Sequence, residues 1–254
     1  MLDAWRDYKP APDALAGRVI LVTGATSGIG RAVAKAIVEH GATALLHGRS
    51  EPALEALYQE LRTLGTEPAV AQIDFERAQG PEYQALTEQI ETRYGRLDGL
   101  LHNAGMLGTL SPIEHYDIGL WQRVLLVNLT APFILTRCLL PLLRRSADAS
   151  VVFTTSTVGH KGRAYWGAYA ASKFGVEGLS QVLADELGGT AIRVNAINPG
   201  ATRTKMRARA YPAEDVAALA RPEDRVLAYL YLLGSASRGQ SGGLLECGAA
   251  TQTA

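Results

Sequence analysis

The sequence predicts an α/β fold, a single doubly wound parallel sheet with helices on both faces. Two observations support this prediction. Short apolar runs rich in β-branched residues alternate with longer segments whose apolar residues recur at helical spacing. The alternation continues over 254 residues without an internal repeat, a low-complexity linker or a change in composition. It therefore indicates one domain, in which each helix crosses over to the next parallel strand.

The first strand and the first helix enclose a glycine-rich turn. Residues 18–22 (RVILV) are typical of a parallel strand that is buried on both faces. The turn TGATSGIG follows at residues 23–30, and residues 31–40 show helical spacing that Gly41 is expected to end. Strand, turn and helix in this order are the context in which such a turn binds a dinucleotide, as in Rossmann-type domains.

Three glycines are expected to shape this turn. Gly24 would permit the sharp turn, Gly28 the close approach of a pyrophosphate, and Gly30 the tight packing of helix on strand. The N-terminus of the helix would offer the phosphates its backbone N–H groups and a partial positive charge. A plain tight turn is the competing interpretation, because the spacing is G-x-x-x-G-x-G and not G-x-G-x-x-G.

The remaining elements follow in the same alternation. Strands are predicted at residues 43–47, 68–73, 97–102, 150–155, 191–197 and 243–246. Helices are predicted at residues 51–64, 81–94, 120–143, 166–187 and 222–233, with a lid at about 201–220. Pro132 and Pro141 are expected to bend or delimit the helix at 120–143. Residues 1–17 show no clear period. We interpret them as an N-terminal extension anchored by Trp5 and Tyr8, ahead of a domain spanning residues 18–254.

Charge and cysteine content disfavour several classes of protein. The 25 Lys and Arg residues balance 25 Asp and Glu residues, so neither nucleic acid nor a membrane is expected as a partner. Cys138 and Cys247 are too far apart in the chain to indicate a disulfide framework or a zinc site, and no metal is expected. We find no signal sequence and no apolar run that we judge long enough to span a bilayer, and therefore expect a cytoplasmic protein.

The end of the second predicted strand indicates which dinucleotide is bound. NAD sites usually place an acidic residue there, for the 2′-hydroxyl of the ribose. This chain has His47-Gly48-Arg49-Ser50 instead. A guanidinium group would form charge-assisted bonds to a 2′-phosphate, whereas a carboxylate would repel it. Arg49 therefore favours NADP(H) over NAD(H); the alternative is an arginine that only extends into solvent at a strand end.

A tyrosine and a lysine suggest proton-transfer chemistry. Tyr169 and Lys173 are four residues apart in a predicted helix, so they would lie on one face. We expect the ammonium group to favour the phenolate and to lower the pKa of the phenol. Ser156, thirteen residues upstream, could hold a substrate oxygen. A Tyr–Lys pair at this spacing also arises by chance on helix surfaces, so its surroundings must decide.

Together these residues resemble the short-chain dehydrogenase/reductase family over essentially the whole chain. The motifs are Thr23–Gly30, Asn103-Ala104-Gly105, Asn128, Ser156, Tyr169-x-x-x-Lys173 and Pro199-Gly200. Residues 102–108 and 166–174 resemble in particular the bacterial YciK-type branch, described only as oxidoreductases or as similar to 3-oxoacyl-carrier-protein reductase. The ending at residues 246–249 matches the family only loosely, which affects the C-terminal contacts of a tetramer and not the catalytic group.

The resemblance implies a role for each catalytic residue. Tyr169 would give its proton to the carbonyl oxygen as hydride arrives from the nicotinamide, or act as the base in reverse. Lys173 would lower the pKa of Tyr169 and hold the nicotinamide ribose, and Ser156 would bind the substrate oxygen. Asn128 would hold a water molecule that links Lys173 to solvent.

The resemblance also implies a set of cofactor contacts. Asp74, followed by Phe75, would accept from the adenine amino group, with a helix N-cap as the alternative role. Asn103 would brace the central strands. The full set is Gly24, Thr26, Ser27, Gly28, Ile29, Gly30, Arg49, Asp74, Phe75, Asn103, Ala104, Gly105, Tyr169, Lys173, Pro199, Gly200, Thr202 and Thr204.

The expected function is an NADPH-dependent reductase acting on a small carbonyl or alcohol, with a 3-oxoacyl thioester as one substrate. Basic residues in the lid, among them Arg207 and Arg209, could attract an anionic substrate, although solvated lids are commonly charged. The alternative from another class is a cofactor-binding regulatory or interaction protein with little turnover. The resemblance implies a homodimer or a homotetramer that pairs through the helices at residues 120–143 and 166–187.

Overall fold

The computed structural model describes residues 3–248. Met1 and Leu2 of the predicted extension, and residues 249–254 of the predicted domain with the end of the loosely matching motif, lie outside the described residues. Seven parallel strands form one sheet in the order β3-β2-β1-β4-β5-β6-β7. The strands are β1 Val19–Val22, β2 Thr43–Gly48, β3 Ala69–Gln72, β4 Gly99–His102, β5 Ala149–Thr154, β6 Ile192–Asn198 and β7 Leu244–Glu246. The predicted doubly wound α/β fold is confirmed.

The helices alternate with the strands as the sequence predicts. They are α1 Gly28–Glu39, α2 Glu51–Leu61, α3 Gly80–Tyr94, α4 Ile118–Leu125, α5 Ala131–Leu143, α6 Gly167–Glu186, α7 Lys205–Ala210 and α8 Val226–Leu233. Helix α1 begins inside the glycine turn, three residues earlier than predicted, because Ser27 takes the extended N-cap conformation. The helix predicted at 222–233 opens with the 3₁₀ turn Pro222–Arg225, where Pro222 suits the first turn.

Each face of the sheet carries its own apolar core. Side chains of a strand alternate between faces, so Ile20 and Val22 of β1 point into one core and Val19 and Leu21 into the other. Helices α1, α2 and α8 cover the first core, and α3, α5 and α6 cover the second. All four β1 side chains are buried on a sheet covered on both sides. This burial is what holds the carboxyl ends of the central strands in fixed positions.

The helix predicted at 120–143 is not one regular α-helix. Between α4 and α5 the chain forms the π-helical turn Leu126–Thr130, which contains Asn128. A π-turn adds one residue to the helical period and is frequent at functional sites. Taken as one stretch, Ile118–Leu143 is 26 residues long and, by length and composition only, apolar enough to cross a membrane, so the expectation that no apolar run has that length is wrong. Most of its apolar residues from Val127 to Leu143 pack into the core beside the sheet, whereas Phe133 is 49% exposed.

The segment before β1 packs on the first core. Trp5 is buried there, and the ring of Tyr8 meets that of Tyr231 edge-on with centroids 5.5 Å apart. Both residues therefore make the contacts predicted of an anchored extension, while the boundary of the domain at residue 18 stays a prediction. The predicted lid contains α7 and the short 3₁₀ turn Val216–Ala218.

Candidate active site

The glycine turn closes over the carboxyl end of β1. Gly24 and Gly28 have positive φ angles of 66° and 54°, which residues with a side chain rarely adopt. A Cβ atom on Gly30 would overlap the carbonyl oxygen of Gly24 and the side-chain amide of Asn103, so α1 packs directly on the turn. Within residues 3–248 the Ser27 side chain makes no capping hydrogen bond to α1. The first amide groups of α1 are thus left for an acceptor from outside the helix.

Asn103 joins this turn to the carboxyl end of β4. Its backbone N–H donates to Thr23 Oγ1 over 2.8 Å, and its side-chain amide donates to the Thr23 carbonyl over 3.2 Å. Ala104 N–H donates to the same hydroxyl over 3.0 Å. Strands β1 and β4 are neighbours at the point where the strand order reverses. In doubly wound sheets the ligand crevice opens at this point.

Predicted site residues that are distant in the chain come together around this crevice. A Cβ atom on Gly28 would lie 3.2 Å from the methyl carbon of Thr204. A Cβ atom on Gly105 would lie 3.6 Å from Asn128 Oδ1 and 3.9 Å from Lys173 Nζ. The crevice therefore runs from the glycine turn, past the segment after β4, to the candidate catalytic residue Lys173 on α6.

Arg49 lies beside the turn, but a carboxylate already binds its guanidinium group. A Cβ atom on Gly48 would lie 3.0 Å from the Thr26 methyl carbon, so the end of β2 reaches the turn. The Arg49 side chain is 69% exposed, and its Nη1 donates to Glu76 Oε1 over 2.6 Å. Glu76 Oε2 lies 4.0 Å from Arg123 Nε on α4. Two guanidinium groups from different elements thus converge on Glu76, a residue that the sequence analysis missed because no motif marks it.

Asp74 forms a turn of its own after β3. Its Oδ1 accepts the backbone N–H of Glu76 over 3.0 Å. Helix α3 begins only at Gly80, behind the N-cap residue Gln79. The alternative role of Asp74 as a helix N-cap is therefore wrong, because its carboxylate closes an Asx turn instead.

A buried histidine lies beneath the glycine turn. Phe75 stacks on His47 with ring centroids 4.2 Å apart, and His47 Nδ1 accepts the backbone N–H of Gly24 over 3.3 Å. Burial lowers the pKa of His47 to about 4, so the ring is neutral at physiological pH. It acts here as an acceptor that fixes the turn, a role that its place at the end of an apolar strand did not reveal.

Three of the four catalytic candidates, Ser156, Tyr169 and Lys173, meet where β5 ends against α6. Tyr169 and Lys173 are both buried, and Lys173 Nζ lies 5.6 Å from the centroid of the Tyr169 ring. The same ammonium group donates to the Thr154 carbonyl over 2.7 Å. Ser156 follows β5 by two residues, and its hydroxyl lies close enough to the phenol to lower the pKa of Tyr169.

The expected decrease in the pKa of the phenol is wrong for this structure, in which the net change is an increase. Burial raises the pKa of Tyr169 to about 12, and the hydrogen bond from Ser156 only partly offsets the rise. Burial also lowers the pKa of Lys173 to about 8, against the favourable charge of Glu177. Helical spacing correctly placed both groups on one face of α6, but it could not show that both are removed from water.

Asn128 uses its amide to join three parts of the chain. Its Oδ1 accepts the Met106 N–H over 2.7 Å, and its Nδ2 donates to the Met106 carbonyl over 2.9 Å and to Ser172 Oγ over 3.0 Å. Both amide hydrogens are therefore engaged within the protein. The amide ties the segment after β4 to α6, and the predicted water link to Lys173 stays a prediction.

The predicted lid contacts Tyr169, a candidate catalytic residue, through apolar side chains. Tyr169 and Trp166 belong to a small apolar cluster against which Met206 and Tyr211 pack. Arg207 forms an ion pair with Glu214 and lies 3.8 Å above the Tyr211 ring. Thr204 Oγ1 caps α7 by accepting the Arg207 N–H over 3.1 Å. The charge of Arg207 is thus balanced within the lid, which removes one of the basic groups proposed to attract an anionic substrate.

The turn at residues 199–202 is fixed by an arginine. Gly200 has a φ of 69° and its N–H donates to Asn198 Oδ1 over 3.0 Å. Thr202 Oγ1 donates to the Gly200 carbonyl over 3.1 Å. Arg225 binds the Ala201 and Cys247 carbonyl oxygens over 3.1 and 3.0 Å. These contacts hold the turn at the carboxyl end of β6, next to the lid.

Comparison with known proteins identifies the family. The family model described as short chain dehydrogenase matches residues 18–215. Over 236 residues the chain is 48% identical to a protein of Escherichia coli (strain K12) named uncharacterized oxidoreductase YciK, covering 92% of this chain and 93% of that protein.

Solved structures agree with this match. A short chain dehydrogenase structure from Pseudomonas syringae is 50% identical, with a TM-score of 0.93, covering 95% of this chain and 99% of that chain. A structure from Escherichia coli CFT073, described as a short chain dehydrogenase complexed with NADPH, is 46% identical, with a TM-score of 0.92, covering 94% of this chain and 100% of that chain.

Proposed function

This chain belongs to the short-chain dehydrogenase family, and from that premise we propose that it is an NADPH-dependent reductase of a small carbonyl substrate. As a family member it is an oxidoreductase that acts on CH–OH and C=O groups. The observation that carries the proposal is the burial of Tyr169 beside Ser156, one helical turn from Lys173, at the end of the crevice.

The residues of the crevice fit NADP(H). The uncapped N-terminus of α1 suits a pyrophosphate, and the exposed guanidinium of Arg49 suits a 2′-phosphate. The NADPH complex of the similar E. coli protein supports the preference over NAD(H). When bound, the cofactor supplies a hydride to the carbonyl carbon. The residues proposed to hold it are Gly24, Thr26, Ser27, Gly28, Ile29, Gly30, Arg49, Asp74, Phe75, Asn103, Ala104, Gly105, Tyr169, Lys173, Pro199, Gly200, Thr202 and Thr204.

Tyr169 gives the proton in this proposal. Because burial raises its pKa to about 12, the phenol stays protonated at neutral pH until a stronger base forms. The oxygen of a carbonyl under reduction becomes such a base, and Ser156 is placed to donate a hydrogen bond to it. The ammonium group of Lys173, 5.6 Å from the ring, then stabilises the phenolate. The Asn128 amide holds the π-turn against α6 and so keeps Lys173 in place.

Apolar contacts indicate the substrate class. Trp166 and Tyr211 approach with ring centroids 5.8 Å apart, beside Tyr169 and the partly buried Met206. A carbonyl with an apolar substituent would replace water here, and a 3-oxoacyl thioester is one member of that class. The alternative of a regulatory protein with little turnover predicts cofactor binding and no consumption of NADPH.

We propose that two copies of the chain pair through the helices predicted at residues 120–143 and 166–187. Phe133 on α5 is 49% exposed, and Phe174 and Val182 on α6 are 45% and 57% exposed. Exposed apolar side chains on these two helices support pairing into a homodimer or a homotetramer. A cytoplasmic location stays a prediction.

Tyr169→Phe tests the reaction. We expect kcat/KM for NADPH-dependent carbonyl reduction to fall by about 10²–10⁴, the usual contribution of a general acid, while NADPH affinity is retained. The measurement is NADPH oxidation with a panel of ethyl acetoacetate, cyclohexanone, benzaldehyde and a quinone, plus a fluorescence titration with NADPH. Tight NADPH binding with no turnover on any carbonyl by the wild type would favour the regulatory alternative.

A further inference from the structure

Glu177 is a buried carboxylate on the catalytic helix. It lies one turn after Lys173 on α6, and only 7% of the residue is exposed. Acidic residues are almost never buried unless they are paired. Glu177 belongs to none of the motifs that identify the family in this chain, and the proposed proton transfer does not use it. Its partners therefore show what it does.

The Glu177 carboxylate binds both ends of the loop that contains Ser156. Its Oε1 accepts the hydroxyl hydrogen of Thr155 over 2.7 Å and lies 3.2 Å from His160 Nδ1. Thr155 directly precedes Ser156, and His160 ends the 3₁₀ turn Thr157–Gly159 that follows it. The loop is thus closed around the carboxylate.

Two side chains of α6 hold two consecutive residues at the end of β5. Lys173 Nζ donates to the Thr154 carbonyl over 2.7 Å, and Glu177 binds the Thr155 hydroxyl one turn later. Side chains four residues apart lie on one face of a helix. The helix that carries Tyr169 therefore also fixes the strand end from which Ser156 projects.

The loop leaves room for the carboxylate only because residue 159 is glycine. A Cβ atom on Gly159 would overlap both Thr155 Oγ1 and Glu177 Oε1. The Gly159 N–H donates to the Ser156 carbonyl over 2.7 Å. The backbone of the Ser156 loop is thus shaped to fit the Glu177 side chain, which makes incidental burial a poor explanation.

We propose that Glu177 is a positioning residue for carbonyl reduction: its carboxylate fixes the Ser156 loop against α6 and places a negative charge one helical turn from Lys173. The inference rests on the proposed function, because it assigns Glu177 a role through Ser156 and Lys173. Glu177 itself touches neither the substrate nor the reacting atoms.

The charges around Lys173 support the second half of this proposal. Burial lowers the pKa of Lys173 to about 8, and Glu177 is the charge that opposes the decrease. The titratable groups in this region are Tyr169 and Glu177 on α6, His102 on β4, His160 after β5, Tyr229 on α8 and Glu246 on β7. Burial holds the pKa of His102 at about 3, so His102 is neutral and adds no positive charge that would oppose the effect of Glu177 on Lys173.

The pH dependence of Glu177→Gln tests the inference. The amide still accepts the Thr155 hydroxyl but carries no charge, so the pKa of Lys173 should decrease further. The assay uses NADPH and the best carbonyl of the panel. We expect the alkaline limb of the kcat profile, which reports deprotonation of Lys173, to move to lower pH by about one unit, the usual effect of losing a nearby opposite charge. We expect a loss of kcat of about tenfold on the plateau and an unchanged KM for NADPH.

A matched control and a conservative variant complete the experiment. Glu186→Gln makes the same charge change at an exposed position of α6 and should superimpose on the wild type. Glu177→Asp keeps the charge and shortens the reach, so its plateau should fall while its alkaline limb stays in place. If Glu177→Gln does not fold, Glu177→Asp decides, and an unchanged kcat would overturn the inference.

Other outcomes separate this inference from the proposed function. A Glu177→Gln profile identical to the wild type, or a uniform loss of kcat with no movement of the limb, overturns the role of Glu177. Full activity in Tyr169→Phe, measured in the same assay, overturns the proposed function instead.

Discussion

The amino ends of the strands form one edge of the sheet and the carboxyl ends form the other. Both edges bury charged side chains, but they differ in how many partners those side chains have. At the amino ends of the strands, Asp148 pairs with Arg18, Arg193 and Arg238, and Asp98 accepts from Val19 N, Arg96 and Ser146. At the carboxyl ends, the ammonium group of Lys173 donates to one carbonyl, that of Thr154. At the first edge, which we call the saturated edge, each carboxylate has several donors, although Arg18 Nε and Arg193 Nε lack a hydrogen-bond partner within residues 3–248. At the second, which we call the unsaturated edge, Lys173 has one acceptor among the described residues.

This difference separates stability from chemistry. Burial lowers the pKa of Arg193 to about 10, and the guanidinium nevertheless stays charged at neutral pH among its carboxylate and carbonyl partners. The same burial brings the pKa of Lys173 to about 8 and raises that of Tyr169 to about 12. Burial disfavours the charged form of such a group, and few partners offset this cost. The group can therefore gain or lose its charge, as proton transfer requires.

Removing one charge from the saturated edge gives the largest expected effect on stability. In Asp148→Asn, Arg18 and Arg193 stay buried without their shared carboxylate. Removing one partner of a buried pair costs about 3–5 kcal/mol, so the free energy of unfolding in urea should fall by that amount. Carbonyl reduction below the melting temperature should persist, because this edge lies opposite the crevice.

The exposed pair of Asp3 and Arg6 provides the control for this variant. The Asp3 side chain is 84% exposed, so Asp3→Asn should change the unfolding free energy by less than about 1 kcal/mol. A fully stable Asp148→Asn protein, or one that folds normally and has lost activity, would contradict the division between the two edges.

The fold was largely predictable because it rests on two local signals: apolar runs for the strands, and apolar residues at helical spacing for the helices. Strands buried on both faces appear as apolar runs, so β1 and β5 were found within a residue or two. Pro132, expected to bend or delimit the helix, lies in the first turn of α5, but the π-helical turn before it was missed because the apolar residues continue through Leu126–Thr130. One added residue in the helical period changes which way Asn128 points without changing the composition.

The sequence predicted which candidate residues lie close together, but not the electrostatics around them. The Tyr169–Lys173 spacing and the glycine turn can be recognised in the sequence. The sign of the Tyr169 pKa shift depends on burial by Trp166, Leu107 and their neighbours, which no motif reports. Glu76 and Glu177 were missed for a related reason, since each acts through a contact between segments far apart in the chain.

Removing Lys173 from the unsaturated edge should have the next largest effect on the free energy of unfolding. Here the expected change is an increase, whereas Asp148→Asn should cause a decrease. The pKa of Lys173 is about 8 in the folded chain and 10.5 ordinarily, so between these values the unfolded chain binds more protons. Wild-type stability should therefore rise with pH across this window, by up to about 3 kcal/mol. Lys173→Met removes the penalty, so at neutral pH it should be more stable by about 1–3 kcal/mol and inactive.

The measurement is urea unfolding of wild type and Lys173→Met from neutral pH to above pH 10. Their difference in stability should shrink as the pH rises through the window. Lys35→Met, at a side chain that is 45% exposed, should show no such dependence. A destabilised Lys173→Met protein at neutral pH would show that Glu177 and Thr154 compensate the ammonium group as fully as the amino-end network compensates its charges.

The smallest expected effect is at Arg49, at the exposed end of the crevice, where solvent weakens the interactions between charges. In Arg49→Asp the guanidinium of the proposed 2′-phosphate contact becomes a carboxylate next to Glu76. We expect the ratio of NADPH to NADH affinity to fall by about tenfold or more, the loss of one charge-assisted contact, with little change in stability. Titrations with both cofactors measure this ratio, and Arg77→Asp, at a side chain that is 88% exposed, is the control.

Since Glu76 competes for Arg49 through a largely solvated pair, Glu76→Gln should shift the ratio of NADPH to NADH affinity a few-fold the other way. An unchanged ratio in Arg49→Asp would place the phosphate contact elsewhere, with Arg123 as the next guanidinium to test.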